Sequence, residues 1–227
     1  MTHGETTCWT MIHAAAAGDA AERSAFAARY EPAVRAYLIA RWGRLSDAHE
    51  LEDALQDVFL ECFRQGGALA KADPDRPGGF RAFLYGITRN VALRFETRRA
   101  RRLARNADGE HVLPQIETSD DRLSQVFDRA WAQAIMRKAA DLQRDRAASL
   151  GDEAIRRVEL LRLRFHDDLP IRDIATAWNA DPTRLHREYA KARREFHECL
   201  LEVMRFHFPE SPAEAERECE KLLEILA

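Results

Sequence analysis

Residues 80–99 read FRAFLYGITRNVALRFETRR, and the pattern of this stretch is strongly helical. Its apolar side chains recur every three or four positions, at Phe83, Leu84, Ile87, Val91 and Phe95. That spacing places them along one face of an α-helix. We therefore predict a long amphipathic helix from Phe80 to about Arg102.

The rest of the chain shows the same helical character. Alanine, leucine, arginine and glutamate dominate, and no convincing alternation of apolar and polar residues predicts a strand. Further helices are predicted over about 10–42, 48–64, 120–149, 154–165, 171–178 and 182–206, with a short last helix opened by a capping box at 211–214. The sequence thus predicts an all-α protein of two small helical domains joined by a partly helical linker.

The boundary between the two domains is predicted where the periodicity is lost. From 103 to 118 no apolar stripe continues, and Gly109 and Pro114 occur there. The predicted organisation is an N-terminal extension (1–20), a first helical domain (21–105), a linker with a long helix (106–150), a second helical domain (151–206) and a C-terminal helical extension (207–227).

The composition is typical of a soluble globular protein. The 227 residues carry a net charge of −3, with 46% hydrophobic and 32% charged residues. No apolar run approaches the roughly 20 residues needed to cross a bilayer, and the polar N-terminus shows no secretory signal. The four cysteines are widely scattered, which argues against a disulfide framework and favours a reducing compartment. A cytoplasmic protein without membrane contact is expected.

Positive charge is concentrated locally despite the negative total. From Arg89 to Arg105 the chain holds seven arginines and one acid, Glu96. A loop rich in glycine and proline (65–79) precedes this helix, and aromatic residues lie near the helix start: Phe80, Phe83 and Tyr85. Aromatic rings beside basic groups can stack unpaired bases while arginines follow the backbone. The alternative is a core role for the rings, which is favoured for Phe83 and left open for the other two.

A second basic segment follows a pair of closely spaced helices. The turn Asn179-Ala180-Asp181 separates them, with Asp181 as a predicted N-cap and Pro182 as the first helical residue. This spacing is typical of a helix-turn-helix DNA-binding motif. The second helix carries basic candidates for contacts to bases and phosphates: Arg184, His186, Arg187 and Lys191. A helical hairpin with a solvated basic face is the alternative.

The helix over 48–64 carries an acidic face that includes Glu52, Asp53, Gln56 and Asp57. A solvated face and a docking surface for a basic partner are the two interpretations. A weak zinc hypothesis applies to two groups that lack the usual spacing: His197, Cys199, His207 and Cys219, and His3, Cys8 and His13. No phosphate loop or catalytic-serine motif occurs. We expect no catalytic residue, no metal and no cofactor.

Three stretches occur in a characteristic order. Residues 50–60 read ELEDALQDVFL, residues 80–93 read FRAFLYGITRNVAL, and the third stretch is LRF at 163–165 with LPIRDIA at 169–175. Together they resemble regions 2 and 4 of the extracytoplasmic-function (ECF) class of sigma factors in the sigma-70 family. Phe83 stands where the family has tryptophan. Asn179 stands where it has glycine, and asparagine tolerates a left-handed backbone.

The resemblance implies partners and site residues for each domain. The region 2 domain (21–105) would bind the β′ clamp helices of core RNA polymerase through Glu52, Asp53, Gln56 and Asp57. It would melt and read the −10 promoter element through Phe80, Tyr85, Arg89, Asn90, Arg94 and Arg98. The region 4 domain (151–206) would hold the β flap and contact the −35 element through Arg184, His186, Arg187 and Lys191. The implied function is an alternative sigma factor that directs promoter recognition and DNA melting.

Two other functions are weighed against this one. The first is a one-component helix-turn-helix regulator that binds duplex DNA, and the predicted melting domain argues against it. The second is a helical adaptor, and the arginine clusters on two helices argue against it. The N-terminal extension with Trp9, the linker helix and the C-terminal helix resemble those of sigma factors from bacteria rich in serine/threonine kinases. An anti-sigma factor or a serine/threonine kinase is therefore a further candidate partner.

Overall fold

A computed structural model describes residues 8–43, 48–73, 79–106, 119–209 and 211–226. Over these ranges the secondary structure is helical, without a strand, which confirms the all-α prediction. The helices are α1 (Cys8–Ala17), α2 (Ala20–Trp42), α3 (Ala48–Phe63), α4 (Gly79–Asn106), α5 (Asp120–Leu150), α6 (Asp152–Phe165), α7 (Ile171–Ala177), α8 (Pro182–His207) and α9 (Pro212–Leu226). Within the same ranges, no helix combines the length and the apolar character needed to span a membrane.

The single helix predicted over 10–42 is wrong, because two helices occupy that stretch. Gly18 adopts a φ of 108°, a left-handed value that ends α1. Asp19 then caps α2, since its carboxylate accepts a hydrogen bond of 3.0 Å from the backbone N–H of Glu22. Gly18 and Asp19 are ordinary stop and start signals, whereas the apolar pattern continues across them.

Parts of the predicted connections lie outside the described residues. They are 74–78 of the glycine- and proline-rich loop and 107–118, which contains Gly109 and Pro114. The described part of the first loop contains a short 3₁₀ helix (Leu69–Lys71), and its Leu69 is buried. This portion is anchored to the fold by an apolar contact.

The described residues divide into two compact units. Unit 1 holds residues up to 134 together with those from 223 onward, and unit 2 holds 135–222. The boundary falls inside α5, so this helix contributes to both units. The functional boundaries inferred from the sequence remain predictions.

Unit 1 is held together by an aromatic core. The ring of Phe26 on α2 lies 4.7 Å from Tyr30, 5.4 Å from Phe63 and 5.7 Å from Phe80, measured between ring centroids. Trp131 on α5 stacks on Tyr30 at 5.0 Å with an interplanar angle of 17°. The first half of α5 is therefore part of this core.

The one acid in the arginine-rich run, Glu96, fixes α4 against α2. Its carboxylate accepts hydrogen bonds from Arg41 Nε at 2.6 Å and from Trp42 Nε1 at 2.8 Å. Both donors belong to the last turn of α2. Glu96 thus sets where the arginines of α4 lie relative to the rest of the unit.

Glu96→Gln should lower the free energy of unfolding by about 1–2 kcal/mol, because bonds to a charged acceptor are the stronger ones. Chemical denaturation of the full chain measures the change. Glu31→Gln is the control, since Glu31 makes an i,i+4 surface pair with Arg35 and the substitution should cost less than about 0.5 kcal/mol. Equal losses in the two variants would contradict the anchoring role.

Unit 2 is built on α6, α7 and α8. One buried cluster joins these three helices and consists of Leu160, Ile171, Ile174, Ala175 and Leu185. The second half of α5 is tied to α8 by Gln143, whose buried amide donates to the carbonyl oxygen of Ala192 at 3.1 Å. α9 begins at the predicted capping residue, since the N–H of Glu214 donates to Ser211 Oγ at 3.3 Å.

Candidate nucleic-acid interface

The arginines of α4 form an exposed row on unit 1. Arg94, Arg98 and Arg102 follow one another at four-residue spacing, which keeps them on one side of the helix. Their side chains are 57%, 58% and 60% exposed. A row of guanidinium groups of this kind can follow the phosphates of a nucleic-acid strand.

The acidic face of α3 lies against this row. Four ion pairs, which we call the α3–α4 ladder, join them: Glu61–Arg94 (3.1 Å), Asp57–Arg98, Glu50–Arg99 (3.2 Å) and Glu50–Arg102 (3.9 Å). The structure thus brings Asp57, predicted to bind polymerase, into contact with Arg98, predicted to bind DNA. Each partner partly neutralises the other in the free chain.

Two exposed leucines lie beside the ladder. Leu60 is 58% exposed and Leu93 is 36% exposed, and both line a groove between α3 and α4. Large apolar side chains framed by charged groups often mark a contact surface. The sequence alone does not single them out, because each follows a run of apolar residues that belong to the core.

The other predicted polymerase-binding residues, Glu52, Asp53 and Gln56, differ in whether they have a partner on another of the described helices. Arg35 of α2 holds Glu52 through two hydrogen bonds of 2.6 Å and 3.0 Å, and this contact lowers the pKa of the Glu52 carboxyl. Asp53 and Gln56 are exposed. An incoming partner would meet Asp53 and Gln56 directly.

Phe80 is a core residue in this structure. Its ring is 6% exposed and packs against Phe26, Tyr30 and Trp9. A ring enclosed on all these sides offers no face to a nucleobase. The base-stacking role drawn from the sequence therefore does not fit its burial, and it is Phe83 of the same helix that is only half-buried.

The remaining predicted −10 residues lie on the first half of α4. Tyr85 packs between Tyr37 and Phe127, each 5.5 Å away between ring centroids. Arg89 is 38% exposed and pairs with Asp120 of α5 at 2.7 Å. Asn90, the next residue, is exposed. Tyr85 and Arg89 therefore lie next to each other beneath the start of α5.

In unit 2, α7 and α8 are joined by the tight turn that the sequence predicts. Asn179 adopts a left-handed φ of 47°, and the N–H of Ala180 closes α7 on the carbonyl of Ala175 at 2.9 Å. Asp181 caps α8, accepting from the N–H of Thr183 at 2.8 Å. The predictions for Asn179 and Asp181 are both confirmed.

Asn179→Val should lower the free energy of unfolding by about 1–2 kcal/mol, because a β-branched residue is strained at this φ. Asn179→Gly is the matched control and should be neutral or slightly stabilising. Thermal unfolding of the two variants beside the wild type provides the measurement. A valine variant as stable as the glycine variant would show that the turn relaxes to another conformation.

The four predicted −35 residues are all exposed on the first half of α8: Arg184, His186, Arg187 and Lys191. Leu185 and Ala192 of the same helix are buried. Arg187 lies about 200° around the helix from Leu185, and therefore projects most directly away from the core. The structure thus presents all four groups to solvent on one helix, as a DNA-contacting helix requires.

A buried arginine fixes the rotation of α8. Arg157 of α6 is 6% exposed, and its Nε contacts Glu195 at 2.9 Å while its Nη1 is 3.5 Å from Glu188. The two glutamates lie seven residues apart and so share one side of α8. In the sequence Arg157 reads like any surface arginine, so its anchoring role has no local signal.

The weak zinc hypothesis gains no support from the described geometry. Across the ranges that the structure describes, no three histidine, cysteine or acidic side chains are grouped as a metal site. All four cysteines are buried. Burial raises the pKa of Cys219 to about 11 and that of Cys62 to about 12, so neither thiol is a thiolate at neutral pH.

Comparison with known proteins identifies one part of the chain. Residues 26–103 match the family model of sigma-70 region 2. No curated protein sequence matches the chain. The matched residues run from Phe26 in α2 through α3 and most of α4, which are the helices that carry the ladder and the arginine row. Residues 26–103 are thus similar to sigma-70 region 2, and this similarity covers the part of the chain that carries the ladder and the arginine row.

Proposed function

We propose that this chain is an ECF-type sigma factor that binds core RNA polymerase and directs promoter recognition and DNA melting. The observation that carries the proposal is the sigma-70 region 2 match at 26–103, over helices that place an acidic face beside a row of arginines. The proposed role is one of binding in the cytoplasm, without catalytic residues or a cofactor.

Contact with polymerase is assigned to α3. Asp53 and Gln56 are exposed, and Glu52 and Asp57 extend the same acidic surface. Charge complementarity would guide this surface to the basic β′ clamp helices. Leu60 supports the assignment, because burial of an exposed apolar side chain beside charged ones would stabilise a docked partner.

Recognition of the −10 element is assigned to α4, with Phe80 left out because it is buried. Tyr85, Arg89, Asn90, Arg94 and Arg98 remain as the proposed contacts. Arginines bind the backbone of the displaced strand. The free energy of binding the unpaired bases offsets the stacking energy lost on melting. Melting proceeds without covalent chemistry.

Recognition of the −35 element is assigned to α8, which would lie in the major groove while unit 2 holds the β flap. Arginine can read guanine through two hydrogen bonds, and the positive end of the helix dipole favours phosphate near Pro182. The exposure of all four candidate side chains supports this assignment.

Run-off transcription tests the proposal. The full chain is mixed with core RNA polymerase and a library of promoter fragments, and transcripts that depend on the chain are sequenced. We expect co-elution with core and initiation at a defined set of promoters. Binding to duplex DNA without polymerase, with neither core binding nor transcripts, would overturn the proposal in favour of a one-component regulator.

Control by an anti-sigma factor or by a serine/threonine kinase remains a prediction from the resemblance. Incubation with a cognate kinase tests the second possibility. No incorporation of phosphate and no change in transcription would contradict it.

A further inference from the structure

The first half of α5 packs on the part of α4 that is assigned to the −10 element. Leu123 and Phe127 are fully buried, and the ring of Phe127 lies 5.5 Å from that of Tyr85. Asp120, Leu123 and Phe127 share one face of α5, since they are three and four residues apart. This face brings both apolar and acidic groups to α4.

Two ion pairs accompany the apolar contact. Asp120 Oδ2 lies 2.7 Å from Arg89 Nη2, and Asp128 lies 3.2 Å from Arg81. The hydroxyl of Tyr85 also donates to the carbonyl oxygen of Asp120 at 3.4 Å. The first turn of α5 therefore accepts hydrogen bonds from both Arg89 and Tyr85.

The Asp120–Arg89 pair has the chemistry of a phosphate contact. A carboxylate and a phosphate both present oxygens to a guanidinium in charge-assisted hydrogen bonds. Hydrogen bonding from Arg89 lowers the pKa of the Asp120 carboxyl, so the group stays charged well below neutral pH. Asp120 and a DNA phosphate would compete for the same donor.

The exposures of the groups indicate how much of α5 needs to move. Asp120 is 56% exposed and Arg89 38%, so a strand can reach the pair from solvent and opening it costs little. Asp128 and Arg81 are only 28% and 32% exposed, and Phe127 is fully buried. Only the Asp120 side chain therefore needs to move for a strand to reach Arg89.

We infer that Asp120 competes with the DNA backbone for Arg89. Its carboxylate pairs with the Arg89 guanidinium in the free chain until a phosphate of the promoter strand displaces it. This inference rests on the proposed function, because it requires Arg89 to be a DNA contact. It assigns a regulatory role to a residue just beyond the sigma-70 region 2 match.

Asp120→Asn should strengthen binding of single-stranded DNA by the full chain about threefold to fivefold. A factor of this size corresponds to the free energy of an exposed ion pair. The salt dependence should steepen by about 0.7 in log–log slope, because Arg89 then contacts a phosphate without freeing a carboxylate that takes up a cation. Asp121→Asn is the matched control. Asp121 is exposed and lies about 100° around the helix from Asp120. Because Asp121→Asn removes the same charge away from Arg89, the change in DNA affinity should stay within about twofold.

A double-mutant cycle isolates the pair. Fluorescence anisotropy with a labelled single-stranded oligonucleotide is measured for the wild type, Asp120→Asn, Asp121→Asn, Arg89→Ala and the double variant Arg89→Ala/Asp120→Asn. Arg89→Ala should weaken binding, and the gain from Asp120→Asn should vanish in the double variant. Equal gains from the two asparagine variants, a gain that survives in the double variant, or no effect of Arg89→Ala would each overturn the inference.

The same proteins are assayed as holoenzymes for promoter-dependent run-off transcription. A wild type that binds core and initiates, beside an Asp120→Asn variant that equals Asp121→Asn in both assays, would sink the inference and leave the proposed function standing. A wild type that neither binds core nor initiates would remove the proposed function and the inference with it.

Discussion

Phe26→Ala should lower the free energy of unfolding of unit 1 by about 3–5 kcal/mol. Phe26 is fully buried at the centre of the aromatic core, where its ring contacts α2, α3 and α4 through Tyr30, Phe63 and Phe80. Alanine would leave a cavity that rings on three different helices cannot easily close. A loss of this size is a large fraction of the stability of a small domain.

Denaturation followed by circular dichroism gives the loss of stability. Hydrogen exchange read by mass spectrometry then shows whether the loss is confined to unit 1. Ile39→Ala on the same helix is the control, because Ile39 is 48% exposed and its truncation should cost less than about 1 kcal/mol. Equal losses from the two substitutions, or faster exchange in α7 and α8 alone, would show that the aromatic core does not stabilise unit 1 in this way.

Arg187→Ala should weaken holoenzyme binding to the −35 element by about 1–3 kcal/mol, if Arg187 contacts a base as the proposed function requires. Arg187 is exposed and projects away from the core of unit 2, so its removal should leave the fold intact. The loss should be largest at one or two base pairs. Substitution at those pairs should no longer matter to the variant.

Binding of the holoenzyme to a set of promoters with single changes in the −35 element measures this effect. Arg205→Ala is the control, because Arg205 is exposed at the far end of the same helix and removes the same charge. A uniform loss over all promoters would mark Arg187 as a phosphate contact. An unchanged affinity and preference would show that it is not part of the interface.

Local signals account for the features that the sequence predicted best. The spacing of apolar residues located α3 and α4, and the side chains of Asp181 and Ser211 located the starts of α8 and α9. These features depend on hydrogen bonds and side-chain directions within a few residues. The break at Gly18 and Asp19 follows the same rules, but the continuous apolar pattern across it concealed it.

The site could be predicted only in part, because its pairings depend on how helices pack. The resemblance assigned Phe80 to the −10 element, whereas the structure buries it against rings from α1, α2 and α5. It likewise showed acids on α3 and arginines on α4 as two separate surfaces. No spacing rule within one helix reports that Asp57 meets Arg98 or that Asp120 meets Arg89.

The α3–α4 ladder bears on non-specific binding of the free chain to DNA. Chromosomal DNA presents an enormous excess of ordinary phosphate sites, and bare arginines would leave the chain scattered along them. Carboxylates already paired with Arg94, Arg98, Arg99 and Arg102 would weaken such chance contacts, because they compete with phosphates for the same guanidinium groups. Under the proposed function, the free chain would then be held less by non-promoter DNA and would be more available to polymerase.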